Sequence, residues 1–125
     1  YITLGNPRCF YWPHDPPRAH STICVGEGPM DVIALSRVIP SGATLGALPS
    51  AYQVQQIVGM VTKNELKRII IWLDSDALSN AFSLQARLNP HVDTDVVTFT
   101  DAKDPGSLNA NQIRDVLKDY LGEIN

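Results

Sequence analysis

Cysteine is scarce in this chain. Cys9 and Cys24 are the only two among 125 residues, too few for a disulfide scaffold. Long hydrophobic runs are also missing: no stretch approaches the roughly 18 apolar residues of a membrane span, and no signal peptide is visible. No membrane partner is therefore expected, and a cytoplasmic location is. Internal repeats and low-complexity tracts are absent. There is no basic excess either, since 10 Lys plus Arg stand against 13 Asp plus Glu for a net charge of −3. Such a balance does not announce a nucleic-acid binder. It does not exclude one, because bound cations can neutralise several acids and local placement outweighs the sum.

What is present fits an ordinary globular domain. Apolar content is 44% and charged content 18%, and the length suffices for one domain with a real core. The chain starts at Tyr1 rather than at a methionine, and is expected to be a domain of a longer polypeptide. Residues 1–20, rich in proline and aromatics ("NPRCFYWPHDPPRAH"), read as an arm or linker with one short strand at "YITL". Residues 21–125 form the domain proper.

Within it, apolar runs and helical periods alternate. "STICVG" is a short strand closed by glycines. Pro29 suits the first position of a helix whose inner face would be Met30, Ile33, Ala34 and Val38, with Pro40 and Gly42 closing it. "ATLGAL" (43–48) is the next strand candidate. Ser50 to Gln53 form a capping box that opens a helix through about Val61. "RIIIWL" reads as the central strand, followed by a helix from about Ala77 to Leu88. "TDVVTF" (94–99) is another strand. The last helix spans about Asn111 to Leu121, with Ile113, Val116, Leu117, Tyr120 and Leu121 at core spacing and Gly122 after it. This alternation predicts an α/β fold with a mostly parallel sheet of about four strands flanked by helices.

The stretch "IIIWLDSDALSNAF" (69–82) drives five apolar residues into two aspartates. A run of that kind is a parallel strand covered on both faces. Asp74 and Asp76, two positions apart in an extended segment, would then share a face. Carboxylates held that close repel unless a cation or a proton lies between them. Ligands of such sheets bind beyond the carboxyl ends of the strands. That edge should also collect Glu27 and Asp31 after the first strand, and Asp101 and Asp104 after the fourth.

"VGEGPMDVIAL" (25–35), "IIIWLDSDA" (69–77) and "DAKDPGSL" (101–108) together resemble the Toprim domain. That domain is shared by bacterial-type primases, bacteriophage primase–helicases, type IA and type II topoisomerases, OLD-family nucleases and RecR recombination proteins. Glu27-Gly28 and Asp74-Ser75-Asp76 match its two marks, while Asp31 and the "KDP" at 103–105 look like the primase branch. The resemblance covers roughly residues 21 to 121. It implies a compact Rossmann-type fold and Mg²⁺-dependent nucleotidyl transfer making RNA primers on single-stranded DNA, in a bacterial cell or phage-infected host. Mn²⁺ would substitute for Mg²⁺. The implied partners are a single-stranded DNA template, nucleoside triphosphates, and other domains of the same polypeptide such as a primase N-terminal subdomain and a helicase. Two departures stand out: Ser79 and Asn80 occupy places where primases have a glycine and often a basic residue. Gly106 follows the "DP" where a second acid is usual.

On this resemblance Glu27, Asp74 and Asp76 are the candidate catalytic residues. With Asp104 they form the candidate metal set, and Gly28, Asp31 and Lys103 would contact the cofactor or phosphate. Mg²⁺ favours oxygen ligands, one or two carboxylates with waters and phosphates completing the shell. A pair of such ions assists phosphoryl transfer. Each residue also has a plainer role available. Asp76 would cap the following helix, Asp31 would favour a helix start, Asp104 before Pro105 would make a turn, Glu27 would be an exposed turn residue, and Lys103 a solvated charge. Arg8, Tyr11, Trp12 and Arg18 would either bind single strands or pack the arm. A zinc site from Cys9, His14, His20 and Cys24 matches no ordinary spacing. The alternatives for function are a Toprim nuclease or topoisomerase module and a non-catalytic RecR-like domain for DNA binding or assembly.

Overall fold

The computed structural model describes residues 9–46, 49–98 and 104–121. The strand expected at "YITL", the residue Arg8, the end of "ATLGAL", the residues Phe99, Asp101 and Lys103, and Gly122 lie outside the described residues.

Four strands form one sheet: β1 (Thr22–Gly26), β2 (Ser41–Ala43), β3 (Arg68–Ile71) and β4 (Asp93–Val96). Four helices alternate with them: α1 (Pro29–Leu35), α2 (Ala51–Asn64), α3 (Leu78–Leu88) and α4 (Ala110–Leu121). The sheet order is β2-β1-β3-β4 and every pairing is parallel. In β1 and β3 successive side chains enter opposite cores. Ile23, Val25, Ile69 and Ile71 pack against Ile57 and Val61 of α2 and Ala81, Leu84 and Leu88 of α3. Cys24 and Ile70 pack, together with Trp72, against Ala34 and Leu35 of α1 and Ile113 and Leu117 of α4. This is a Rossmann-like α/β fold. The three isoleucines of β3 are fully buried, each contributing about 1.5–3 kcal/mol of burial free energy.

The topology fixes where a site can form. The chain leaves β1 through α1 toward β2, and leaves β3 through α3 toward β4, on opposite faces and in opposite directions. Between the carboxyl ends of β1 and β3 the connections therefore diverge and leave a crevice.

Several sequence expectations need correction. α1 ends at Leu35 rather than near Val38, and its inner face is Val32, Ala34 and Leu35, whereas Met30 and Ile33 are 67% and 60% exposed. All residues of this two-turn helix but Asp31 are apolar, so the sequence pattern leaves the phase open and the anchoring of Asp31 sets it instead. The second strand is Ser41–Ala43, earlier than "ATLGAL". Its ladder begins where the Cys24 amide donates to the Pro40 carbonyl. Gly42 is required there, since a Cβ would overlap the Phe10 ring and lie 2.7 Å from the Tyr11 carbonyl oxygen. Tyr11 bridges Ala43 antiparallel and so covers that edge. α2 continues to Asn64, past Val61, and stops where Glu65 turns left-handed at φ 49°. The fourth strand starts one residue earlier than expected, at Asp93, and ends at Val96.

Candidate acidic cleft at the carboxyl edge of the sheet

Glu27 is the first residue past β1, and Gly28 caps the start of α1. Asp74 lies three residues past β3, at the start of a single 3₁₀ turn over Ser75–Ala77. Asp104 starts a second 3₁₀ turn over Pro105–Ser107. Glu27, Gly28, Asp31, Asp74, Asp104 and Gly106 surround one open cleft of about 440 Å³. Residues far apart in sequence thus meet at the switch point.

The expected pairing of Asp74 and Asp76 does not hold. β3 ends at Ile71, and Asp76 sits in a 3₁₀ turn rather than an extended segment, so the two-residue repeat no longer applies. Asp76 is exposed and does not line the cleft, although its charge still reaches Glu27 and Asp74. The capping role is not observed either: neither Asp74 nor the α3 cap position makes a side-chain cap bond.

Asp31 is buried at 8% exposure and fully engaged with backbone. Its Oδ2 accepts from the Gly28 amide at 3.1 Å, and its Oδ1 accepts from the Gly106 amide at 2.9 Å. It therefore ties the α1 start to the 105–107 turn. Asp104 shows the turn geometry that its sequence suggested, with its Oδ1 accepting from the Ser107 amide at 3.0 Å. The turn-forming sequence "DPGS" was the available signal for this anchor, but nothing in the sequence said that the Gly106 amide would face Asp31.

Glu27 differs from both. Its Oε1 is buried and has no hydrogen-bond partner among the described residues. Burial pushes its carboxyl above the usual range, the Asp74 charge adds to this, and the Asp74 backbone amide works against it. Asp74 is raised by burial and then by the charges of Asp31, Asp104 and Asp76. Asp31 is raised by burial against the pull of the Gly106 and Gly28 amides. These carboxylates crowd one another, and an unpartnered buried carboxylate oxygen carries a desolvation cost.

Among the described residues, no group of three His, Cys, Asp or Glu side chains is arranged to hold one metal ion. A Mg²⁺ site needs fewer, since that ion retains waters and takes one or two carboxylates plus phosphates. The all-oxygen donor set and the unpartnered Glu27 oxygen fit that description. The zinc combination does not form: Cys24 is buried within β1, His14 lies 2.9 Å from the Ser36 hydroxyl, and His20 faces Glu65. Among the described residues no helix is long and apolar enough to cross a membrane. A comparison of the chain with protein-family models gives no match, and a comparison with curated proteins gives none either.

Proposed function

We infer that this chain is the Toprim-type catalytic module of a DNA primase of the bacterial, plasmid or bacteriophage kind, acting in the cytoplasm on single-stranded DNA and nucleoside triphosphates. The observation that carries the reading is the meeting of Glu27 and Asp74 across the switch point, with one Glu27 oxygen buried and unpartnered. Glu27 and Asp74 are the residues that would hold Mg²⁺, with Asp104 beside them and Asp76 adding charge from outside the cleft. When bound, the ion supplies charge neutralisation for the transferring phosphate and for the attacking hydroxyl. The chain's own part is to gather acids at one strand edge, keep Glu27 partly desolvated, and fix the far wall through Asp31 and Gly106. The other domains of a primase would complete the polymerase site.

A non-catalytic, RecR-like role is the second reading. It draws on the engagement of Asp31 with two backbone amides and of Asp104 with the Ser107 amide, which leaves fewer free carboxylates than a two-metal site uses. Oligoribonucleotide synthesis on a single-stranded template, by protein that carries this domain, separates the two. Primer formation that Glu27→Gln nearly abolishes supports catalysis. Normal priming by that variant moves the reading to the non-catalytic role.

A further inference from the structure

The amino edge of the sheet, opposite the acidic cleft, carries a second concavity. A groove of about 660 Å³ opens between residues 12–18 and the segment 36–40 that joins α1 to β2. A strand the length of β1 puts it about 17 Å from the acids, so it is a separate surface.

Its lining has a distinct chemistry. Arg18 and Arg37 both face it and are exposed, and neither forms an ion pair among the described residues. Asp15 is the carboxylate in the lining, which leaves the groove with a net positive charge in a chain whose formal net charge is −3. Trp12 is held in a fixed orientation beside them. Its indole N–H donates to the Asp15 carbonyl at 3.0 Å, its ring stacks at 6.4 Å on Phe10, and the His14 ring meets it edge-on at 5.1 Å. His14 is in turn 2.9 Å from the Ser36 hydroxyl, so the aromatic wall is braced against the end of α1.

Guanidinium forks match phosphate oxygens, and an aromatic face offers a stacking platform to any base. A free phosphate would use the arginines and leave the indole idle, while an acidic peptide offers no planar group to stack. We propose that this groove binds a single-stranded nucleic-acid segment, with Arg18 and Arg37 on its phosphates and Trp12 against a base. Calling that strand a primase template rests on the function inferred above. The binding itself does not, and its test needs no catalysis.

The position of the two tryptophans makes the test local. Trp72 is buried at 1% exposure while Trp12 lines the groove. Fluorescein-labelled oligothymidylate, titrated into the chain, is expected to raise its anisotropy while quenching tryptophan emission. Arg18→Gln/Arg37→Gln, at exposed positions, should weaken binding and lower the slope of log K against log salt by about 1.4, or ~0.7 for each phosphate contact on a single strand. Binding without quenching, or with an unchanged salt slope in the double variant, overturns the proposal. So does equal competition by polyglutamate, which would mark a general anion surface, or by free phosphate at matched charge. If oligothymidylate binds as described while protein that carries this domain makes no primers, the groove stands and the catalytic reading falls.

Discussion

The carboxylate of Asp31 is fastened to the Gly106 amide, 2.9 Å away in space and 75 positions along the chain. Its other oxygen accepts from Gly28. One side chain therefore sets the distance between the segment that carries Glu27 and the turn that carries Asp104. The close fit extends to the glycine, since a Cβ at position 106 would lie 3.1 Å from Asp31 Oδ1. Gly106 is thus a residue that this anchor uses.

Asp31→Ala should accordingly destabilise the fold by about 1–3 kcal/mol, the cost of leaving buried hydrogen-bonding groups unmet. Asp31→Asn, which keeps one acceptor oxygen, should lose less. Urea denaturation of the three proteins checks the order. A neutral Asp31→Ala would mean that water replaces both bonds without cost.

Gln53 is a comparable anchor on the fold itself. It is fully buried, its Nε2 donates to the Thr44 carbonyl at 2.6 Å and to the Cys9 carbonyl at 3.2 Å, and its Oε1 accepts from Ser50 at 3.0 Å. Gln53→Leu should cost about 2–3 kcal/mol by orphaning those partners, although the apolar volume is nearly kept. A melt within a degree or two of the wild type would show that the arm and the loop after β2 do not depend on it.

Gln53 also shows what the sequence could and could not convey. "SAYQ" disclosed the capping box, because that motif is local and its bonds are three residues apart. The reach to Cys9 and Thr44 is tertiary and left no pattern. The same division runs through the sheet. The buried run at 69–73 marked β3, and the alternation of elements marked a parallel α/β fold, yet β2 was misplaced because its three residues Ser-Gly-Ala carry little strand signal. For the site, strand ends predicted which acids would meet. The spacing of Asp74 and Asp76 misled, since the chain curls into a 3₁₀ turn after the strand. Separating Glu27, one oxygen of which is buried without a partner among the described residues, from Asp31, both oxygens of which accept from backbone amides, needed coordinates.

The crowding of Glu27 and Asp74 has a pH consequence. Both carboxyls are raised in the fold, first by burial and then by neighbouring charge. A raised carboxyl pKa means that the folded state prefers the protonated form. Their favourable contribution is therefore present below the unfolded carboxyl range, near pH 4, and is lost as pH rises through the raised values. In EDTA, Glu27→Gln and Asp74→Asn should be as stable as the wild type or more so at neutral pH, with the advantage shrinking as pH falls toward 4. Thermal melts across that range test it. Variants that melt lower at pH 7 would show that the carboxylates form structural bonds.

The cation itself gives the last prediction. Mn²⁺, which substitutes for Mg²⁺ at oxygen sites and broadens nearby resonances, should act first on the segments around Glu27, Asp74 and Asp104. Those residues come from three separate stretches of chain and share one cleft, so simultaneous broadening of all three identifies the cleft and not a single surface acid. Asp74→Asn should weaken the effect more than Asp76→Asn, because Asp74 lines the cleft and Asp76 is exposed outside it. Asp31→Asn should weaken it less directly, through the position of the 105–107 turn. The control lies at the other end of the molecule, where His14 and His20 offer nitrogen donors. Broadening confined to those histidines would remove the acids as a metal site and, with them, the metal-dependent chemistry inferred for this chain.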